Sequence, residues 1–164
     1  MTRNIRATPL TGGAFAPFGD VLEARGTADK LINQGLCGRF HDRARLDFGT
    51  DTSPPGRAGI SVFHAEPRAL PYALEMIERH PEGSQAFIPM TQNPFLVIVS
   101  QSPDTAPRAF VTNGAQGINL HRGIWHGVLT PLAAPGLFAV IDRIGQSPNL
   151  EEHWFDDPWL VTPP

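Results

Sequence analysis

Apolar residues along this 164-residue chain come in short bursts interleaved with polar ones, and proline or glycine interrupts them. The interruptions recur roughly every eight to twelve residues, the rhythm of an all-β sandwich or barrel. On a strand, alternate side chains face opposite ways, so short alternating runs can bury one face of a sheet. The segments GISVFHA (59–65), YALEMIERH (72–80), SQAFIPM (84–90), FLVIVS (95–100), RAFVT (108–112), GVLTPL (127–132) and GLFAVIDR (136–143) read as strands. YALEMIERH also fits a helix, but Pro71 and Pro81 bound it tightly. PEG, TQNP, SPDTAP, NGAQG and AAPG supply turns between the strands. One short helix is predicted over TGGAFAPFG (11–19), capped by Thr11, with Phe15 and Phe18 docking on the sheet. FGTDTSPPGRAG (48–59) reads as an exposed loop. The tail NLEEHWFDDPWLVTPP carries Trp154 and Trp159, expected to pack on the barrel or on a second subunit.

Residues 1–164 are expected to form one domain. Hydrophobic residues make up 41% and charged residues 18%, a balance that folds rather than staying disordered. The formal net charge of -3 gives no reason to expect nucleic acid or an anionic membrane as partner, which leaves a small organic molecule or a protein. Lys30 is the only lysine among thirteen basic residues and lies in polar GTADK, which argues against a buried Schiff-base lysine. The arginines suit carboxylates and amide-like groups, because a guanidinium offers a rigid fork of donors. Cys37 is the one cysteine, so neither an internal disulfide nor a cysteine-based zinc cluster is expected, and it reads as a packing residue. With no signal-peptide pattern and FLVIV as the longest apolar run, a cytoplasmic protein outside the membrane is expected.

G-x-S-x-G, a glycine-rich phosphate loop and H-E-x-x-H are all missing, so hydrolase, kinase and zincin chemistry lose their usual support. Two histidine-bearing stretches remain. In ERHPEGSQAFIPM, Glu78 and His80 are two apart and point to one side of a strand, a side expected to include Leu74 and Met76. A turn at PEG then brings Gln85 alongside His80. In GINLHRGIWHGVL, His121 and His126 flank a glycine turn, each at the end of its own strand. Burying such groups unpaired costs about 1–3 kcal/mol each, which favours a functional cavity over five packing residues. Arg39 and His41 in RFHDRARLDF share a strand face and form a further candidate pair, while His64 and His153 read as ordinary packing residues.

The order and spacing resemble the two metal motifs of the cupins. Glu78, His80 and Gln85 stand in the first, and Gly117, Gly123 and His126 in the second, with His121 where proline is usual. The resemblance implies a mainly β, cupin-like barrel of the double-stranded β-helix type. It also implies a loose divalent-metal site at His80, Gln85 and His126, weakened by the neutral amide. More specifically, IERHPEGSQAFIPM and RAFVTNGAQGINLHRGIWHGVL resemble the signature stretches of the bacterial ureidoglycolate lyases. NQGLCGRFHDRA, FAVIDR and the opening PLTGGAFAPFGDVLEA resemble that family too. This resemblance implies a homodimer that splits (S)-ureidoglycolate into glyoxylate and urea late in allantoin breakdown, with nickel sometimes associated.

That reaction needs a base for the hydroxyl proton, an acid for the departing urea nitrogen and a cation for the carboxylate. The residues offer His121 or His126 as base and His80 or Glu78 as acid. Arg39, Arg122 or Arg143 would hold the carboxylate, and Gln85 and Asn113 the ureido group. Two other readings use the same residues: a metal-dependent cupin isomerase or dioxygenase acting on another small acid, and a non-enzymatic cupin that binds a metabolite or a protein.

Overall fold

The computed structural model describes residues 3–164. The chain is mainly β and forms a nearly closed, cupin-like barrel from two facing sheets. The larger sheet runs in the order Arg3–Arg6, Glu151–Thr162, Tyr72–Arg79, Trp125–His126, Phe95–Ser100, Arg108–Val111 and Thr8–Pro9, with Thr130–Pro131 also paired to Phe95–Ser100. The smaller runs Gly19–Leu22, Gly117–Leu120, Gln85–Pro89, Gly136–Ile144 and Arg57–Ala65. A separate hairpin joins Lys30–Ile32 to Cys37–Arg39.

Alternation explains where the core lies. Phe95, Val97 and Val99 meet Phe87, Phe110, Leu120, Phe138 and Val140 in the space between the sheets. Phe95 and Phe138 meet edge-on there, with ring centroids 5.0 Å apart. Leu96 and Ile98 point the other way and pack with Leu74, Ile77, Trp125 and Val161. Every residue of Phe95–Ser100 is therefore buried, as its uninterrupted apolar run requires.

Several expectations need correction. The helix is a single turn, Gly12–Phe15, because Pro17 offers no backbone N–H; Thr11 caps it by accepting from the Ala14 amide, and Phe15 and Phe18 are buried. GVLTPL is not a continuous strand: pairing occurs at Trp125–His126 and Thr130–Pro131, and the Thr130 hydroxyl bends the chain back onto the Val128 carbonyl. Leu74 does not share a side with Glu78. It packs with Ile77, three residues away, and the adjoining strand slips register between Trp154 and Trp159. The loop before Arg57–Ala65 is only partly exposed, since Gly49 and Gly56 are buried.

The tail forms a twelve-residue strand, Glu151–Thr162, antiparallel to Tyr72–Arg79 and parallel to Arg3–Arg6. Trp159 packs against the second core cluster, whereas Trp154 stays 62% exposed. Among the described residues no helix is long and apolar enough to cross a membrane.

Candidate active site

Glu78, near the end of Tyr72–Arg79, lies directly opposite His126 on one side and Glu152 on the other. His126 in turn opposes Val99, whose side chain faces the barrel interior, so Glu78 and His126 face inward as well. His80 follows two residues later. The ligand atoms of Glu78, His80 and His126 all lie within 4.8 Å of one another, and the two imidazole centroids are 5.2 Å apart.

Both rings have Nδ1 bonded to a backbone carbonyl. His80 Nδ1 lies 2.7 Å from the Asn149 carbonyl and His126 Nδ1 lies 3.0 Å from the Gly127 carbonyl. A carbonyl only accepts, so each Nδ1 carries a proton, and the neutral ring of His126 keeps its lone pair on Nε2. Both Nε2 atoms are buried without a hydrogen-bond partner. An orphaned acceptor pair beside a carboxylate is the donor set a divalent cation takes, so the chemistry of these three residues fits such a metal.

Burial also sets the charges. His126 is 4% exposed, and burial pushes its pKa down to about 4, with His80 nearby acting in the same direction. Burial raises the Glu78 carboxyl above its ordinary range; His80 opposes the shift and Glu152 adds to it. Beyond Glu78 opens a cavity of about 360 Å³, lined by Arg68, Tyr72, Met76, Val128, Glu152 and Trp154 among others. That volume suits a small molecule. Arg68 donates to the Tyr72 hydroxyl at 2.9 Å and lies over its ring. Among the described residues no carboxylate pairs with Arg68.

The other candidates lie elsewhere. His121 bonds Asp20 at 3.1 Å and lines a separate cavity of about 200 Å³ with Arg45, Asp47 and Arg122. Arg122 is held by the Pro81 carbonyl and Asp51. Gln85 is buried and donates to Asp142 at 3.1 Å, so Glu78 rather than Gln85 completes the three-residue cluster. Asn113 closes a turn by accepting from the Ala115 amide and borders a third cavity. Arg39 and His41 are exposed, on and just after the separate hairpin. The Arg143 side chain is 1% exposed and bonded to Thr52, Ser147 and Glu82, so its charge serves the protein interior.

Sequence reasoning did not find Arg68, Glu152 or Trp154. Nothing in EPRALP marks Arg68, and the two tail residues reach the site only through long-range strand pairing.

A nearly closed, cupin-like barrel with two histidines gathered about a half-buried carboxyl at the edge of a small cavity defines a protein that works on a small molecule. The family model described as ureidoglycolate lyase matches residues 2–162. The chain is 54% identical over 156 residues to a ureidoglycolate lyase of Rhodobacter capsulatus, covering 93% of this chain and 94% of the relative. It is 47% identical over 164 residues to one of Chelativorans sp., covering 97% and 96%. To ureidoglycolate lyase 2 of Rhizobium meliloti it is 48% identical over 158 residues, covering 93% and 94%. This chain belongs to the ureidoglycolate lyase family.

Proposed function

We propose that this enzyme is a carbon–nitrogen lyase that splits (S)-ureidoglycolate into glyoxylate and urea. Family membership supports the substrate, and it leaves the isomerase, dioxygenase and non-enzymatic readings unfavoured. The observation that carries the chemistry is the pair of buried, unpartnered Nε2 atoms of His80 and His126 beside Glu78.

The substrate is a carbinolamide whose carbon bears a hydroxyl, a carboxylate and the ureido nitrogen. The neutral Nε2 of His126 accepts the hydroxyl proton. The oxygen's electron pair forms the C=O of glyoxylate, the C–N bond breaks and its pair goes to the urea nitrogen. Glu78, kept protonated more readily by burial, gives that nitrogen a proton. His80 Nε2, which can only accept, takes a hydrogen bond from an N–H of the ureido group. Arg68 is the cation that faces the cavity free of a carboxylate partner, and it takes the carboxylate role first assigned to Arg39, Arg122 or Arg143. A bound divalent metal such as nickel would be held by Glu78, His80 and His126, and would polarise the substrate hydroxyl and lower its pKa.

Glyoxylate release from racemic ureidoglycolate tests the reading. Half the substrate should be consumed by the wild type, and His80→Ala and His126→Ala should abolish release; no release by the wild type under any condition overturns the reading. Release that survives a chelator assigns the histidines to proton transfer. Release lost to the chelator and restored by nickel or manganese assigns them to the metal.

We also propose a cytoplasmic homodimer. The single free cysteine suits a reducing compartment. The outer face of the smaller sheet carries Ile60, Val62, Ile88 and Met90, with Ile60 76% and Val62 64% exposed, an apolar patch suited to a second copy.

A further inference from the structure

The Nε2 that His80 leaves without a partner beside Glu78 and His126 keeps a lone pair only while the proton of the neutral ring stays on Nδ1. A free neutral imidazole favours the other tautomer, with the proton on Nε2. The Asn149 carbonyl, 2.7 Å from Nδ1, reverses that preference. This carbonyl sits in the loop between the strands Gly136–Ile144 and Glu151–Thr162, where no ladder bond fixes it.

A chain of side-chain contacts fixes it instead. Asn149 Oδ1 accepts from the Glu82 amide at 2.7 Å, tying the loop to the turn that follows His80. The Ser147 hydroxyl donates to the Glu82 carboxylate. Arg143 closes the chain, donating to Ser147 Oγ at 3.0 Å with its guanidinium 3.3 Å from Glu82. Arg143 itself cannot drift. A Cβ on Gly49, Gly56, Gly83 or Gly145 would come within 2.7 Å of an Arg143 side-chain atom, so four glycines form a close sleeve around it.

We propose that Asn149, Ser147, Glu82 and Arg143 are positioning residues that hold His80 in the Nδ1–H tautomer and keep its Nε2 lone pair free beside Glu78 and His126. The proposal rests on the reading above in giving Nε2 a role, but the tautomer can be observed whether or not the protein is a lyase. Ser147 and Asn149 are only half-buried loop residues, so their truncation leaves the two core clusters untouched.

The test is the imidazole nitrogen-15 spectrum of the full-length, metal-free protein at neutral pH, with thermal unfolding recorded alongside. Wild-type His80 should show a protonated Nδ1 and an unprotonated Nε2. Ser147→Ala and Asn149→Ala should move His80 to a tautomer mixture, and Ser147→Thr, which keeps the hydroxyl, should restore the wild-type pattern. Glyoxylate release by the two alanine variants should fall about tenfold in kcat with little change in KM, the scale usual for losing a ligand-orienting contact. A His80 that remains Nδ1–H in both variants, or a wild type protonated on Nε2, overturns the proposal. A tautomer change in a protein that never releases glyoxylate upholds it and overturns the lyase reading alone.

Discussion

Burial decides the protonation of His126, and the same burial makes folding sensitive to acid. An unfolded histidine titrates near 6.5, and the folded one near 4. Between those values the unfolded chain binds a proton the folded one refuses, so the contribution is complete above pH 6.5 and is lost as pH falls toward 4. The full swing is roughly 3 kcal/mol. Denaturant unfolding of the metal-free protein at a series of pH values should show this acid limb, and His126→Gln should flatten it. Arginine chemistry proved harder to read from sequence than histidine chemistry. A guanidinium that grips a substrate carboxylate looks the same in sequence as one that grips Glu82, and only the burial of Arg143 separates the two. Arg143→Ala should destabilise by about 3–5 kcal/mol in denaturant titration, because Glu82 is left without its cation. Glu78, His80 and His126 were legible because strand parity and one glycine turn suffice to gather them. His121 was not, since its Asp20 partner lies 101 residues away.

Long strands declared themselves by alternation, and the shortest pieces did not. Gly136–Ile144 and Arg57–Ala65 pair along nine consecutive positions, enough for the period of two to stand out. Glu151–Thr162 stayed hidden because Asp156, Asp157 and Pro158 interrupt its pattern where the register slips. Proline is tolerated there because a bulge needs no ladder donor. Glycines also carried more information than their turn-forming role suggested. A Cβ at Gly56 would sit 2.1 Å from the Phe48 carbonyl oxygen and press on Arg143 too. Gly56→Ala should therefore cost about 1–3 kcal/mol, seen as a lowered denaturant midpoint with an unchanged slope.

At the scale of the molecule, the barrel has one face that water covers poorly. Ile60 and Val62 project from the edge strand of the smaller sheet, with Val62 aligned with Ala139 and Ile88 across the neighbouring strands. A double change, Ile60→Lys with Val62→Lys, should convert the proposed dimer to monomer in sedimentation. Far-UV circular dichroism should be unchanged, because neither side chain belongs to a core cluster. Unaltered sedimentation at the dimer mass would move the interface elsewhere, with exposed Trp154 the next surface to test.

The parallel ladder between Arg3–Arg6 and Trp159–Thr162 also bears on how this barrel is made. During synthesis the Arg3–Arg6 strand leaves the ribosome long before the strand it pairs with. Until Trp159 to Thr162 have left the exit tunnel, the Ile5 and Ala7 positions lack the Val161 and Trp159 surface they pack against. Such late, sequence-distant pairing slows folding and leaves an unpaired sheet edge open during synthesis. Chains stalled or clipped before Trp159 should accordingly be prone to aggregate, and closure belongs to the moment when that strand emerges.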